Sequence, residues 1–283
     1  MTIKQAILQA VEAFEKAGVP DPRIDAELIL CHLTGMNRMS MLMQGATELT
    51  SEQEQRFSSL LLSRTQRKPL QYLLGTQAFY GLDFQVDSRV LIPRQETETL
   101  CEWGISHLRR LKQPRALDLC TGSGAIAVTL KHECPHADVT AADLSTDALA
   151  VASSNAKLNQ TDIRFVQGDL WQPVEGEVFD MILSNPPYIP TQDCETLQQE
   201  VIQEPRMALD GGADGLDFYR RIANGALSHL APGGLIAVEV GISEAQDVAS
   251  LFTNAGLHDV QIIKDLYGVE RIVSARRRSE DHV

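Results

Sequence analysis

A short apolar segment runs directly into a proline-rich loop in the stretch FDMILSNPPY, which spans Phe179 to Tyr188. Residues 179–183 are mostly apolar, which predicts a strand that helices cover on both faces, as in parallel sheets. Two consecutive prolines cannot continue a strand ladder, so the chain must leave the sheet in an extended turn. The stretch therefore predicts a central strand with a loop at its carboxyl end.

The loop has an unusual hydrogen-bonding character, because Pro186 and Pro187 have no N–H group and leave carbonyl acceptors with few competing donors. Asn185 adds a side-chain carbonyl, and Tyr188 adds an aromatic face. A planar –NH2 group has two donors, which Asn185 Oδ1 and the Pro186 carbonyl can both accept. A rigid structural turn explains these four residues equally well, so the rest of the chain must decide.

The neighbouring sequence shows the same kind of strand repeatedly. From Arg115 onward, short apolar segments alternate with helical patterns, which predicts a parallel sheet with helices on both faces. The predicted strands are 115–119, 137–142, 162–167, 179–184, 234–240, 259–264 and 270–275. The predicted helices between them are 123–132, 145–158 and 214–230. The fold class is therefore α/β, with an open sheet.

The first part of the chain lacks this alternation. Residues 1–75 show apolar positions at helical spacing, which predicts a small helical bundle that contributes to substrate recognition or support. Residues 76–112 form a predicted hairpin around Gly81 and a linker, and residues 113–283 form the α/β domain. We expect the final residues, 276–283, to be a solvated polar tail.

Composition excludes several classes of protein. The chain has 283 residues, which favours two domains over one core, and a formal net charge of −13, which argues against a broad nucleic-acid-binding surface. Its five cysteines are odd in number and include no C-x-x-C pair, so we expect reduced thiols, with neither a disulfide framework nor a zinc site. The histidines show no ligand spacing, so no metal is expected.

No apolar run reaches the length of a membrane span, and the N-terminal residues lack the apolar core of a signal peptide. These features predict a cytoplasmic protein with no membrane partner.

The stretch DLCTGSG, residues 118–124, follows the first predicted strand and opens a helix. Gly122 and Gly124 allow the backbone to pass close to a ligand, and the helix N-terminus presents free N–H groups. Within this loop, Cys120, Thr121 and Ser123 are the other candidate contacts. The string G-x-G-x-x-A also fits the dinucleotide fingerprint, so the loop alone does not identify its ligand.

Acidic residues end the next two strands. Asp143 stands where a carboxylate takes both ribose hydroxyls, which suits NAD and S-adenosylmethionine equally. Asp169 and Leu170 end the third strand, where an acid and an apolar residue can hold an adenine amino group and ring. Each aspartate alone is more often a helix cap, but three such features at successive strand ends favour a nucleoside pocket.

The NPPY loop distinguishes the two cofactors. A dehydrogenase needs a histidine or a Tyr-Lys pair near a carbonyl group, and the sequence offers no such set. Residues 185–188 instead present amide-type acceptors beside the predicted nucleoside pocket, which favours methyl transfer to an amino group.

Four motifs in this order, DLCTGSG, AADLS, QGDL and SNPPY, resemble those of Rossmann-like S-adenosylmethionine-dependent methyltransferases that modify planar amino groups. Over nearly its full length the chain is similar to the HemK/PrmC family, the glutamine N5-methyltransferases of peptide chain release factors. The segments that carry this similarity are residues 69–100 with LIPRQETE, SNPPYIP, residues 204–222 and DLYGVERIV. Two positions depart from the family pattern: Cys120 stands where many members have glycine, and Gln95 replaces the usual proline of LIPRPETE.

The resemblance implies a seven-stranded sheet whose last strand is antiparallel, preceded by a helical domain that helps hold the protein substrate. It implies S-adenosyl-L-methionine as cofactor, S-adenosyl-L-homocysteine as product and release factors as partners, with no stable nucleic-acid partner. The implied cofactor contacts are Cys120, Thr121, Gly122, Ser123, Gly124, Asp143, Asp169, Leu170 and Asn185. Asn185 and Pro186 would accept the glutamine amide's two N–H groups, and Pro187 and Tyr188 would shape the slot.

An amide nitrogen is a poor nucleophile, so an enzyme must hold it in line with the methyl group, and such positioning is worth roughly 7–11 kcal/mol at its best. Acceptors on both N–H groups also favour the positive charge that develops on nitrogen. Three alternatives remain open: a ribosomal-protein glutamine methyltransferase, a nucleic-acid amino methyltransferase of the adenine N6 type, and a cofactor-binding scaffold without activity.

Overall fold

The computed structural model describes residues 1–279, which form two compact units. The helical unit comprises Met1–Gly75 together with Gln198–Gln203. The α/β unit comprises Thr76–Leu197 and the described residues from Glu204 onward. The chain therefore leaves the α/β unit for six residues and then returns to it, an excursion that the sequence did not predict. None of the helices within residues 1–279 is long and apolar enough to span a membrane.

Five helices build most of the helical unit. They are α1 (Ile3–Lys16), α2 (Pro22–Thr34), α3 (Arg38–Met43), α4 (Ser51–Thr65) and α5 (Leu70–Leu74). Capping boxes begin α1 at Thr2 and α4 at Thr50, because each threonine accepts from the backbone three residues on and the glutamine there reaches back. Large apolar side chains such as Phe14 and Phe57 fill the core between these helices.

The segment 198–203 is held in the helical unit by charge. Glu200 Oε1 accepts from Arg64 Nη1 at 2.8 Å and from Arg67 Nε at 2.6 Å, and Glu200 Oε2 accepts from Arg67 Nη2 at 2.6 Å. Gln203 Nε2 also donates to the Arg67 carbonyl at 2.7 Å. Arg64 in turn donates to Asp25 Oδ2 at 2.7 Å, so the cluster holds two carboxylates and two guanidinium groups.

The α/β unit opens with the predicted hairpin and then alternates strands with helices. Its strands are β1 (Thr76–Phe79), β2 (Leu82–Gln85), β3 (Arg115–Leu119), β4 (Asp138–Asp143), β5 (Arg164–Gln167), β6 (Phe179–Ser184), β7 (Leu230–Glu239), β8 (His258–Lys264) and β9 (Glu270–Arg276). Its helices are α6 (Thr97–Leu108), α7 (Ala125–Glu133), α8 (Thr146–Leu158), α9 (Asp217–His229) and α10 (Ala245–Asn254).

Seven of these strands form one sheet in the order β5-β4-β3-β6-β7-β9-β8. Strands β3 to β7 pair in parallel, and β9, the last strand of the chain, runs antiparallel between β7 and β8. This confirms the predicted fold class, a Rossmann-like seven-stranded domain preceded by a helical bundle. The order of strands reverses between β3 and β6, and ligands of open α/β sheets bind at such a switch point, outside the carboxyl ends of the strands.

Apolar side chains from alternating positions of the central strands pack into two cores, one on each face of the sheet. Ala116 and Met181 belong to one core, and their chain neighbours Leu117 and Ile182 belong to the other. Both faces are covered, as the apolar run at 179–183 predicted. The two strands whose loops carry the candidate motifs, β3 and β6, are therefore held rigidly side by side.

Strand β7 and helix α10 differ from the sequence prediction. Strand β7 begins at Leu230 rather than residue 234, because the pairing with β6 shifts between Phe179 and Met181 and accommodates residues 232–234 as a bulge. Helix α10 was not predicted.

The expectation of a solvated tail at 276–283 is wrong at its start. Arg276 ends β9, and Arg277 is buried and donates to the carbonyls of Leu227 and Leu230. Residues 280–283 of that predicted tail lie outside the described residues.

Candidate active site

A cavity of the α/β unit lies at the carboxyl ends of β3, β4, β5 and β6, around the point where the strand order reverses. Most of the residues predicted from sequence to bind a ligand line it. They are Cys120, Thr121, Gly122, Ser123, Asp143, Asp169, Leu170, Asn185 and Pro187. The fold thus brings together residues from four separate strand ends, as the rule for parallel sheets predicts.

Three predicted site residues are not part of this lining. Gly124 has φ +82°, and a Cβ atom built there would lie 3.0 Å from Ala152 Cβ, so close packing against α8 explains the glycine. Pro186 is buried and lies between two lining residues in the chain, Asn185 and Pro187. Tyr188 packs its main chain against Gly211 and Gly215, where any side chain would collide with it. Their roles in binding stay predictions.

The loop between β3 and α7 is shaped by a buried carboxylate, Asp118. Its Oδ2 accepts from Thr121 Oγ1 at 2.6 Å and from the Ala127 N–H at 3.1 Å. Burial raises the pKa of Asp118 to about 7, although these hydrogen bonds favour the charged form. Cys120 has φ +60° and Gly122 has φ +54°, so the loop takes the left-handed conformation at both positions.

Asp143 ends β4 and turns its carboxylate toward this loop. Oδ2 accepts from the Gly122 N–H at 2.8 Å, and Oδ1 accepts from the Ser145 N–H at 2.9 Å. Burial raises the pKa of Asp143, and these backbone donors oppose the shift by stabilising the carboxylate. Each oxygen has a second lone pair, so the group can accept a pair of neighbouring hydroxyls without losing its present partners.

The loop after β5, which carries Asp169 and Leu170, is more exposed. Asp169 Oδ2 forms an ion pair with Arg221 Nη2 at 2.7 Å, and both side chains are roughly half exposed. Leu170 is buried, lines the cavity and has φ +48°. An amino group bound at Asp169 would therefore share the carboxylate with Arg221, a partner that the sequence did not reveal.

The cavity is also lined by two segments that the sequence analysis did not assign to a ligand, Arg89–Thr97 and Pro205–Asp210, and by Phe218. In the first segment the lining residues are Arg89, Val90, Leu91, Pro93, Arg94 and Thr97. Glu204 connects the two segments, because its buried carboxylate accepts from the Ile92 N–H at 2.9 Å and pairs with Arg94. The LIPRQETE string and residues 204–222 were the available sequence signals, because both segments carry the family resemblance.

Asn185, directly after β6, is held by Thr97, which belongs to the lining segment Arg89–Thr97. Its Nδ2 donates to Thr97 Oγ1 at 3.1 Å, which engages the nitrogen end of the amide and leaves Oδ1 for a further donor. Burial raises the pKa of Glu239, the last residue of β7, to about 7, and the nearby Thr97 side chain opposes that shift.

Comparison with known proteins places the chain in a family. Residues 5–75 match the PrmC N-terminal domain, and residues 101–214 match the methyltransferase small domain. The release factor glutamine methyltransferase of Deinococcus radiodurans is 41% identical over 277 residues, which cover 98% of this chain and 99% of the relative. That of Geobacter sulfurreducens is 43% identical over 261 residues, which cover 92% and 91%. The chain belongs to the release factor glutamine methyltransferase family.

Solved structures agree with this fold. A methyltransferase from Pyrococcus furiosus superposes with a TM-score of 0.53 at 19% identity, covering 81% of this chain and all of that protein. At this identity the likeness shows the fold, and the family assignment rests on the relatives above. The resemblance inferred from the sequence motifs is confirmed.

The structure accommodates both departures from the family's motifs. Cys120 takes the left-handed conformation that glycine favours, at a cost of about 1–2 kcal/mol for a residue with a side chain. Gln95 is exposed, and the turn around it is closed by hydrogen bonds from Thr97 N–H to the Arg94 carbonyl and from Glu98 N–H to the Gln95 carbonyl. A proline is therefore not required for this turn to form.

Among residues 1–279, no cluster of three or more His, Cys, Asp or Glu side chains is arranged to hold a metal ion.

Proposed function

We propose that this protein transfers a methyl group from S-adenosyl-L-methionine to the side-chain amide nitrogen, N5, of the glutamine in the Gly-Gly-Gln loop of peptide chain release factors. The observation that carries the proposal is the placement of Asn185 and Asp143 on one cavity at the switch point of the sheet. The relatives above are named release factor glutamine methyltransferases, which supports the substrate protein and the residue type.

The lining fits S-adenosylmethionine. The Asp143 carboxylate has free lone pairs for the two ribose hydroxyls. No neighbouring heavy atom lies within 4 Å of the position that a Cβ atom on Gly122 would take, so the methionine part can approach the backbone there. Asp169 and Leu170 would hold the adenine, with Leu170 giving an apolar surface for the ring. When bound, this cofactor supplies the methyl group as an electrophile.

The chain's own contribution to the chemistry is orientation of the amide nitrogen. Asn185 Oδ1 and the Pro186 carbonyl would each accept one N–H of the glutamine amide, which fixes the plane of the –NH2 group. Acceptors placed there stabilise the positive charge that develops on nitrogen, an effect worth about 10²–10³ in rate for one hydrogen bond. The methylated nitrogen is strongly acidic and releases its extra proton without a dedicated base.

We assign recognition of the protein substrate to the helical unit, since every residue proposed to contact the cofactor lies after Arg115. The net charge of −13 supports a protein partner over a stable nucleic-acid partner. A cytoplasmic location, like the absence of a bound metal, stays a prediction.

The test is a methyl-transfer assay with labelled cofactor, in which a release factor, ribosomal proteins and DNA compete as substrates. Mass spectrometry should find one added methyl on the glutamine of the Gly-Gly-Gln loop. A release factor with Gln→Asn at that position should receive none, because its amide is one methylene too short. Methylation of a ribosomal protein in preference to the release factor, or of adenine in DNA, would instead support one of the alternatives.

A further inference from the structure

Helix α8 carries a fully buried polar side chain, Asn155, which is not among the residues that line the cavity. Its amide is hydrogen-bonded to the main chain of two other elements. Oδ1 accepts from the Gln85 N–H at 2.7 Å, and Nδ2 donates to the Gln85 carbonyl at 3.0 Å and to the Ser123 carbonyl at 2.9 Å. Gln85 ends strand β2 of the hairpin, and Ser123 belongs to the β3–α7 loop and lines the cavity.

These contacts use every donor of the Asn155 amide. A side-chain amide has two N–H donors and one carbonyl acceptor. Toward Gln85 the amide acts as a short further strand, because it pairs with both the N–H and the carbonyl of a residue at the outer edge of a two-stranded sheet. Toward Ser123 it supplies the remaining donor. One side chain therefore ties the hairpin to the loop.

The Ser123 carbonyl depends on this donor because the first turn of α7 is arranged differently from a regular helix. A regular helix would offer it the N–H of the fourth residue on, Ala127. That N–H donates instead to Asp118 Oδ2 at 3.1 Å. A buried carbonyl needs a partner, and Asn155 provides it. The peptide group that follows Ser123 is thereby fixed in direction.

The same face of α8 also packs against the loop. Ala152 lies one turn before Asn155, and a Cβ atom built on Gly124 would lie 3.0 Å from Ala152 Cβ. Ala148, a further turn back, lines the cavity. Helix α8 thus holds the loop by close packing at one position and by a hydrogen bond at the next.

We infer that Asn155 is a positioning residue for the cofactor, because its bond to Ser123 sets the loop conformation that receives the methionine part of S-adenosylmethionine. This role builds on the proposed function, which supplies the ligand. Ser123 lies between Gly122 and Gly124, and both glycines have positive φ. A segment with two glycines has many alternative conformations, so a tie from outside the loop is needed to select one.

The first test measures binding of S-adenosyl-L-homocysteine by titration calorimetry in Asn155→Ala and Asn155→Leu. Leucine is close to asparagine in shape but has no polar atom, whereas alanine also leaves space. Both variants lose the bond to Ser123, so both should bind this ligand about 10- to 100-fold more weakly than the wild type. Wild-type affinity in both variants would overturn the inference.

The loss should depend on the amino-acid part of the ligand, since that is the part assigned to the loop. Methylthioadenosine has the same nucleoside and sulfur atom but lacks the amino-acid group. Its affinity should therefore change little in Asn155→Ala and Asn155→Leu. Equal losses for the two ligands would show that the variants disturb the whole cavity, which would contradict a positioning role at this loop.

Asn159→Ala is the matched control. Asn159 lies one turn beyond Asn155, and its Nδ2 donates to the Asp83 carbonyl at 2.9 Å, so it contacts the same hairpin through the same kind of bond without reaching Ser123. The affinity of Asn159→Ala for S-adenosyl-L-homocysteine should equal that of the wild type. A loss as large as that in Asn155→Ala would assign the effect to the hairpin and not to the bond with Ser123.

A measurement on the wild type decides the question even if the Asn155 variants do not fold. Both Nδ2 hydrogens of Asn155 are bonded to carbonyl groups, so nuclear magnetic resonance should find that they exchange slowly with water. Adding S-adenosyl-L-homocysteine should slow this exchange further, because the bound ligand stabilises the loop that Asn155 holds. An exchange rate that the bound ligand does not change would overturn the inference.

The outcomes for the inference and for the proposed function differ. A wild-type protein that binds neither S-adenosylmethionine nor S-adenosyl-L-homocysteine would contradict the proposed function. Tight binding by the wild type that Asn155→Ala and Asn155→Leu retain in full would contradict the role of Asn155 alone.

Discussion

The main-chain N–H of Gly122 donates to Oδ2 of Asp143 at 2.8 Å, which ties the loop after β3 to the end of β4. Gly122 has φ +54° at this contact, in the left-handed region that favours glycine. The contact places the carboxylate proposed to bind the ribose directly beside the loop proposed to bind the methionine part. The carboxylate and the loop should therefore act as one binding surface.

Asp143→Ala should weaken binding of S-adenosylmethionine by about 1.5–3 kcal/mol, the usual worth of hydrogen bonds to a charged group. Titration calorimetry measures this directly. Asp147→Ala is the control, because Asp147 is an exposed acid on the following helix that does not line the cavity. Equal affinities in the two variants would contradict the assigned role of Asp143.

The two glycines of the β3–α7 loop should respond differently to alanine. Both have positive φ, which costs about 1–2 kcal/mol for a residue with a side chain. At Gly124 the new methyl would also press on Ala152 at 3.0 Å, whereas at Gly122 it would meet nothing within 4 Å. Urea unfolding should therefore find Gly124→Ala the less stable variant, and calorimetry should find that Gly122→Ala binds the cofactor more weakly. A smaller loss of stability in Gly124→Ala than in Gly122→Ala would argue against the packing role of Gly124.

Glu200→Ala should destabilise the helical unit by about 2–4 kcal/mol, because it leaves the nearly buried guanidinium of Arg64 with one partner fewer. Glu12→Ala should cost much less, since its pair with Lys16 is exposed to solvent and screened by it. Amide hydrogen exchange in α1, α2 and α4 reports the stability of this unit by itself. Similar losses in the two variants would show that segment 198–203 contributes little to the fold.

Stability should depend on pH through Asp118. Its pKa is raised from 3.8 to about 7 by burial, so the folded state keeps a proton that the unfolded state releases. Its contribution is therefore fully present below about pH 4 and is lost as pH rises through 7. Between about pH 5 and pH 8 the free energy of unfolding of the wild type should fall by about 2 kcal/mol more than that of Asp118→Asn. If the difference in the free energy of unfolding between the wild type and Asp118→Asn does not change over this pH range, Asp118 is ionised throughout the range.

The sequence by itself determined the α/β class, the strands that carry the motifs and the end of the sheet on which ligands bind. Each of these follows from local information. The apolar run before Asn185 reports burial on both faces, the two prolines end the strand, and parallel strands present their carboxyl ends together. That is why Asp143 and Asn185 were expected on one cavity before any contact was known.

Only the tertiary structure decided which side chains meet across the fold. Thr97 starts a helix, and nothing in the sequence around it indicates that its hydroxyl accepts from the Asn185 amide. Segment 198–203 looks like an ordinary loop until its carboxylate lies between Arg64 and Arg67. Periodicity records how deeply one element is buried, whereas contacts between distant residues depend on the register and packing of every element at once, and no local pattern contains that information.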